Sequence, residues 1–171
     1  QRILNMIDFY RNVKKAGKEY AKTHGKPDVI YASSVHPLTL VAGIQMAKYF
    51  NVKCICEVRD FWPESIVVYS TRFTKSNPLI KLLYMGEKWI YKKADSLIFT
   101  MEGAYDYIVE QNWEQEIPRS KVHYINNGVD LDAFRYNRDH FQIKDPDLQN
   151  PDFFKVVYTG SIRRVNNLGL L

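Results

Sequence analysis

The sequence has only two cysteines and four histidines, and no apolar run nears the roughly 18 to 20 residues that span a bilayer. Each scarcity removes a class of protein. Cys54 and Cys56 alternate on one apparent strand, so they share a face and supply no disulfide framework; a reducing compartment is expected. No second Cys pair or His cluster completes a zinc site. No signal-peptide pattern opens the chain, whose first residues are patterned as an amphipathic helix. Internal repeats and low-complexity tracts are absent. The chain also lacks an initiator Met, so a piece of a longer protein is expected.

What is present suits a packed globular domain. Of 171 residues, 46% are hydrophobic and 14% aromatic, enough for one ordinary core at about 150 residues per domain. The formal charge is +5 and the pI about 9.1. That balance suits phosphates or an anionic lipid surface, or only a coat of solvated lysines. The basic residues are dispersed and form no nucleic-acid-binding pattern, so nucleic acid is not an expected partner.

The periodicity predicts a helix over residues 3–24, stopped by Gly25, and a buried strand at 28–33. A helix opened by Pro37 then runs to Phe50. A strand at 52–58, a helix at 78–94, a strand at 96–100, the helix of "MEGAYDYIVEQN" and a strand at 121–125 follow. The helix at 78–94 is expected to lay Leu79, Leu82, Leu83, Trp89 and Ile90 on the sheet, although a membrane-surface role is the competing reading. Residues 135–152 are polar and proline-bearing and read as a linker. "FFKVVYTGS" reads as a fifth strand, with an incomplete βα unit behind it. The alternation implies an α/β class with a parallel sheet.

Ligands of open parallel sheets sit outside the carboxyl ends of the strands. Four stretches qualify, at 33–36, 57–60, 100–103 and 126–130. His36, before Pro37, is either a helix-end histidine or a donor at a cleft rim. Arg59 and Asp60 either pair with each other or a neighbouring helix, worth only about 0 to 1 kcal/mol on a surface, or face a ligand. Glu57 falls on either face of its strand. Trp62, held extended before Pro63, offers a flat wall to a sugar or lipid. Asn127 and Gly128 supply a left-handed turn. Asp130 and Asp132 form a DxD, read here as a helix or turn cap in preference to a metal site. Gly160, Ser161, Arg163 and Arg164 suit a diphosphate.

Together "PDVIYASSVHP", "CICEVRDFWPES", "EKWIYKKADSLIFTMEG", "VHYINNGVDLDAF" and "FKVVYTGSIRRVNNL" resemble glycosyltransferase family 4, in its order and spacing, over most of residues 28–171. The likeness is closest to bacterial members that build capsule and O-antigen polysaccharides. It implies a retaining enzyme of GT-B architecture, with two Rossmann-like domains facing across a cleft. The chain would hold a partial N-terminal acceptor domain at 1–134, an interdomain linker at 135–152, and the truncated start of the donor domain at 153–171. His36, Glu57, Arg59, Asp60 and Trp62 would line the acceptor side, and Asn127, Gly128 and Asp130 the interdomain turn. Gly160, Ser161, Arg163 and Arg164 would approach the donor diphosphate. Many members carry Arg and Lys where this chain has Ser161 and Asn166, with Arg163 and Arg164 between them, so phosphate contact is expected from this loop without assignment to one residue.

The resemblance further implies a nucleotide-diphosphate sugar as donor, a lipid-linked or glycan acceptor, no metal and no cofactor. Location would be the bacterial cytoplasm, with peripheral contact at the anionic inner face of the membrane. The fragment would be inactive alone. The alternative is a stand-alone α/β module that binds a phosphorylated or membrane-lipid ligand.

Overall fold

Strands that alternate buried and more exposed residues lie with one face on a core, and those at Lys53–Val58 and Ser96–Phe99 do so along their length. The computed structural model describes residues 1–34, 36–70, 72–160, 162 and 169. Two units divide it, Gln1–Asn127 and Gly128–Leu171. In the first, β1 (Val29–Ser33), β2 (Lys53–Val58), β3 (Ser96–Phe99) and β4 (Val122–Tyr124) form one sheet in the order β1-β2-β3-β4. Every pairing is parallel. The α/β class and the Rossmann-like sheet expected from the alternation are therefore present.

The helices of this unit are α1 (Arg2–His24), α2 (Pro37–Phe50), α3 (Glu64–Tyr69), α4 (Pro78–Lys93) and α5 (Ala104–Glu110). Cys54, Cys56, Val58, Leu97, Phe99 and Val122 project from one face of the sheet into a core shared with α2, α4 and α5. On the opposite face Val29, Tyr31 and Lys53 are exposed, while Ile55, Glu57 and Ile98 are half-buried. Cys54 and Cys56 are free and buried, with their Sγ atoms 3.7 Å apart. The Cys56 thiol is pushed up by its hydrogen bond to Cys54 and by burial.

Two of the expected elements begin on prolines, where a missing N–H costs a helix nothing. Pro37 opens α2, and Pro78 opens α4 behind Asn77, whose side chain accepts from Leu79 N at 2.9 Å. α2 lies close on the sheet because residue 43 is glycine. A Cβ there would stand 2.5 Å from the Cβ of Ala32 and 3.6 Å from Cys54 Sγ.

Three expectations are corrected. The helix at 78–94 turns a different face to the core: Ile80, Glu87, Ile90 and Tyr91 are buried, while Leu79, Leu82 and Trp89 are 54%, 61% and 41% exposed. The stretch at 135–152 is not plain linker. In the second unit α6 (Leu131–His140) and α7 (Pro146–Gln149) occupy much of it, each opened by an aspartate cap, Asp130 and Asp145. The stretch at 153–159 forms no strand, and Phe154 is 94% exposed. A strand exists through its ladder, and no described segment pairs with this one.

Gly43→Val should cost about 2 to 3 kcal/mol, because strand-borne Ala32 cannot yield without moving β1. Gly17→Ala meets only the flexible end of Met46 and should change stability by less than about 1 kcal/mol. Urea unfolding midpoints of both variants, at unchanged slope, check the contrast.

Candidate active site

Parallel pairing puts all four strand tips on one edge, and short backbone bonds pin them there. Ser34 N donates to Glu57 O at 3.0 Å, Thr100 N to Val58 O at 3.3 Å, and Ile125 N to Phe99 O at 3.0 Å. Buried Ser34 also accepts from Arg59 N at 3.3 Å through Oγ. A polar recess of about 340 Å³ opens on this edge, lined by Ser34, Arg59, Asp60, Thr100 and Asn127. Each of the four expected rim loops contributes to it, although Val35 lies outside the described residues.

Beside the recess lies a more enclosed cavity of about 330 Å³ between α2, α4 and the tips of β1 and β2. His36, Asp60 and Trp62 meet in its lining, with Leu38, Val41, Leu83, Gly86 and Ile90. Ser34 and Asp60 border both spaces. His36 sits at the N-cap of α2 in an extended conformation, its ring edge-on to Phe9 with centroids 5.5 Å apart. Its Nδ1 is buried with no hydrogen-bond partner among the described residues. Buried polar atoms are rarely left so.

The aromatic block after β2 divides its labour. Phe61 packs at 4.2 Å from Tyr107 and 5.9 Å from Phe99, so it is core. Trp62 faces the cavity and Pro63 is buried. The Trp62–Pro63 peptide is cis within a turn. Glu64 opens α3 and accepts from Tyr84 Oη on α4, while Lys75 Nζ lies 3.1 Å from its other oxygen.

Other expected residues are placed apart. Glu57 points to the sheet face opposite the core, in register with Ser33 and Ile98, and lines neither space. Arg59 makes no salt bridge with Asp60 among the described residues. Asn127 borders the recess, yet neither it nor Gly128 takes a positive φ, so the left-handed turn expected there does not form. The Asn126 side chain accepts from Asn127 N at 2.7 Å instead, holding the segment without it. Asp130 Oδ1 accepts from Asp132 N and Ala133 N at 3.0 and 2.9 Å, which is the capping role. Asp132 pairs with Arg135 at 3.3 Å. Gly160 is described; Ser161, Arg163, Arg164 and Asn166 lie outside the described residues. Among the described residues no group of three or more His, Cys, Asp or Glu could hold a metal ion.

Sequence reasoning missed Glu87. It is buried on the inner face of α4, where Tyr91 Oη donates to Oε1 and Tyr107 Oη to Oε2, each at 2.7 Å. Burial pushes its carboxyl up to about 8 against the pull of both tyrosines. The signal was its seven-residue spacing from Ile80 and four-residue spacing from Tyr91 on one helix face. Its neighbour Gly86 stands in the helix interior, where glycine costs about 1 kcal/mol relative to alanine.

An α/β domain with an apolar cavity and a polar rim at its strand tips defines a ligand-binding Rossmann-like protein. The family model described as Glycosyltransferase Family 4 matches residues 1–133, and the chain belongs to that family. The match takes in α1, ahead of the stretch where the motif likeness begins. Comparison with curated proteins returns no match. Membership gives glycosyl transfer as the general activity, with a sugar donor and an acceptor. Among the described residues no helix is long and apolar enough to cross a membrane.

The raised Glu87 carboxyl has a definite sign in pH-dependent stability. The folded chain holds a proton that the unfolded chain releases near 4.5, so that stabilisation is full below 4.5. It should fall by up to about 1.4 kcal/mol per pH unit between 4.5 and 8. Glu87→Gln, whose amide is neutral at every pH in that range and keeps one acceptor oxygen beside a donor nitrogen, should flatten this slope in urea titrations run across that range.

Proposed function

We propose that this chain is the acceptor side of a retaining, GT-B glycosyltransferase. The reaction moves a sugar from a nucleotide-diphosphate donor to a lipid-linked or glycan acceptor in bacterial surface polysaccharide synthesis. The observation that carries the reading is the convergence of His36, Asp60 and Trp62 on one cavity at the strand tips, where open parallel sheets bind ligands. A polar rim beside an aromatic wall suits a sugar, whose hydroxyls need partners and whose ring faces are apolar.

In this reading residues 1–134 are the acceptor domain, 135–152 join it to the donor side, and 153–171 begin the donor-binding part. Gly160, Ser161, Arg163 and Arg164 approach the diphosphate there, and guanidiniums stabilise the departing nucleotide. Use of Asp130 as a helix cap supports a reaction without a DxD-held metal. The work is cytoplasmic, with α1 and its Arg11, Lys14, Lys15, Lys18 and Lys22 available to an anionic membrane surface. The 171 residues do not turn over alone.

Sugar transfer by the full-length enzyme, measured against a panel of nucleotide sugars, tests the reading. His36→Ala and Asp60→Asn should each lower kcat/KM for acceptor tenfold or more, about 1.4 kcal/mol of transition-state stabilisation, with the donor KM unchanged. A defect confined to the donor KM would overturn the assignment. In thermal-shift titrations of this chain alone nucleotide sugars should give no shift, and tight donor binding would sink the division of labour.

A further inference from the structure

The cavity beside the rim is more apolar than any sugar or phosphate requires. We propose that it takes the hydrocarbon chain of an amphiphilic acceptor, whose polar head rests on the strand-tip rim. This deepens the acceptor-side reading above and rests on it.

Gly86 is the first observation. It lines the cavity from the interior of a sixteen-residue helix, and a Cβ built on it meets nothing within 4 Å. Gly17 and Gly43 are different, because a Cβ on either would collide with Met46 or Ala32. Those glycines serve close packing. Gly86 is itself exposed and leaves the mouth of the cavity clear.

The second observation is a change of character along the lining. Leu38 and Val41 face Leu82, Leu83 and Ile90 across the cavity, Glu87 lines it with both oxygens tied to tyrosines, and the lining then gives way to Ser34, His36 and Asp60. Ser34 and Asp60 continue into the recess that Arg59 shares. One molecule with an apolar tail and a polar head fits both spaces, which meet at Ser34 and Asp60, and the cavity lining also holds His36, whose buried Nδ1 has no partner among the described residues. A glycan alone would set ring hydroxyls against the aliphatic part of the lining, where they find few partners. A peptide would bring backbone polar groups that aliphatic walls leave unsatisfied.

The third is the outer surface of α4. Leu79, Leu82, Met85 and Trp89 are all exposed there, and Leu82 and Trp89 also line the cavity. Apolar surface thus runs from the cavity onto the helix exterior, where a longer chain or its lipid surroundings would lie.

The test is tryptophan fluorescence of this chain with monododecyl phosphate below its micellar concentration, against inorganic phosphate. A saturable change with the dodecyl compound and none with inorganic phosphate is expected. Gly86→Leu should weaken that binding at least tenfold with an unchanged circular dichroism spectrum. A dodecyl phosphate brominated at its far end should quench wild-type emission, and Trp89→Phe should remove most of that quenching. This second readout stands even if Gly86→Leu fails to fold. Equal response to inorganic phosphate, unaltered affinity in folded Gly86→Leu, or quenching indifferent to Trp89→Phe would each overturn the proposal. The readout is binding, so it separates the two readings. Chain binding without dependence of sugar transfer on His36 and Asp60 would defeat the acceptor role alone, and the reverse would defeat the chain site alone.

Discussion

A carboxyl buried in an aromatic core must be neutral or fully hydrogen-bonded, and Glu87 comes close to being both. Its two oxygens are held by tyrosines on different helices, Tyr91 on α4 and Tyr107 on α5. Those tyrosines belong to a ring cluster with Phe61, Phe99 and Trp113. Through Phe61 the cluster reaches the turn that carries Asp60 and Trp62 to the rim. Loss of the carboxyl would leave two buried hydroxyls without partners, which costs more than an absent bond. The position of α4, and hence the cavity wall it forms, follows from this one group.

The same node explains why α4 turns a different stripe inward than its leucines suggest. Hydropathy ranks Leu79, Leu82 and Trp89 as core and Glu87 as surface. The sheet face is instead filled by Ile80, Ile90 and Tyr91, with Glu87 satisfying the polar end that Tyr91 brings with it. The displaced Leu79 and Leu82 are left on the outside, and Leu82 borders the cavity. Binary patterning fails where polar groups satisfy one another in the interior.

Much of the fold was legible because local signals and tertiary packing agreed. Pro37 and Pro78 mark helix starts, Gly25 marks a stop, and alternation in "VKCICEV" gives the strand. The strand-tip rule picked out His36 and Asp60, and the family resemblance set Trp62 beside them. What stayed hidden has physical causes. Helix α3 contains Ile66, Val67 and Val68, whose branched side chains favour strands, and tertiary context overrides that preference. Helix α6 buries none of its residues, leaving Leu131, Phe134 and Tyr136 exposed, and betrays itself only through the Asp130 cap. The stretch at 153–159 carries a strand composition, but a ladder needs a partner that composition cannot supply. Glu57 showed no preference for either face, and only register with Ser33 and Ile98 decides it.

The glycine at position 43 carries a mechanical consequence. Helix α2 rests on the sheet at the closest approach its backbone permits, with the Ala32 methyl as a hard stop. The cavity wall formed by Leu38 and Val41 is therefore stiff. Across from it, α4 presents long leucine and tryptophan side chains with freedom to rotate on their solvent side. The two walls thus differ in compliance, and accommodation of guests of different girth falls almost wholly to α4.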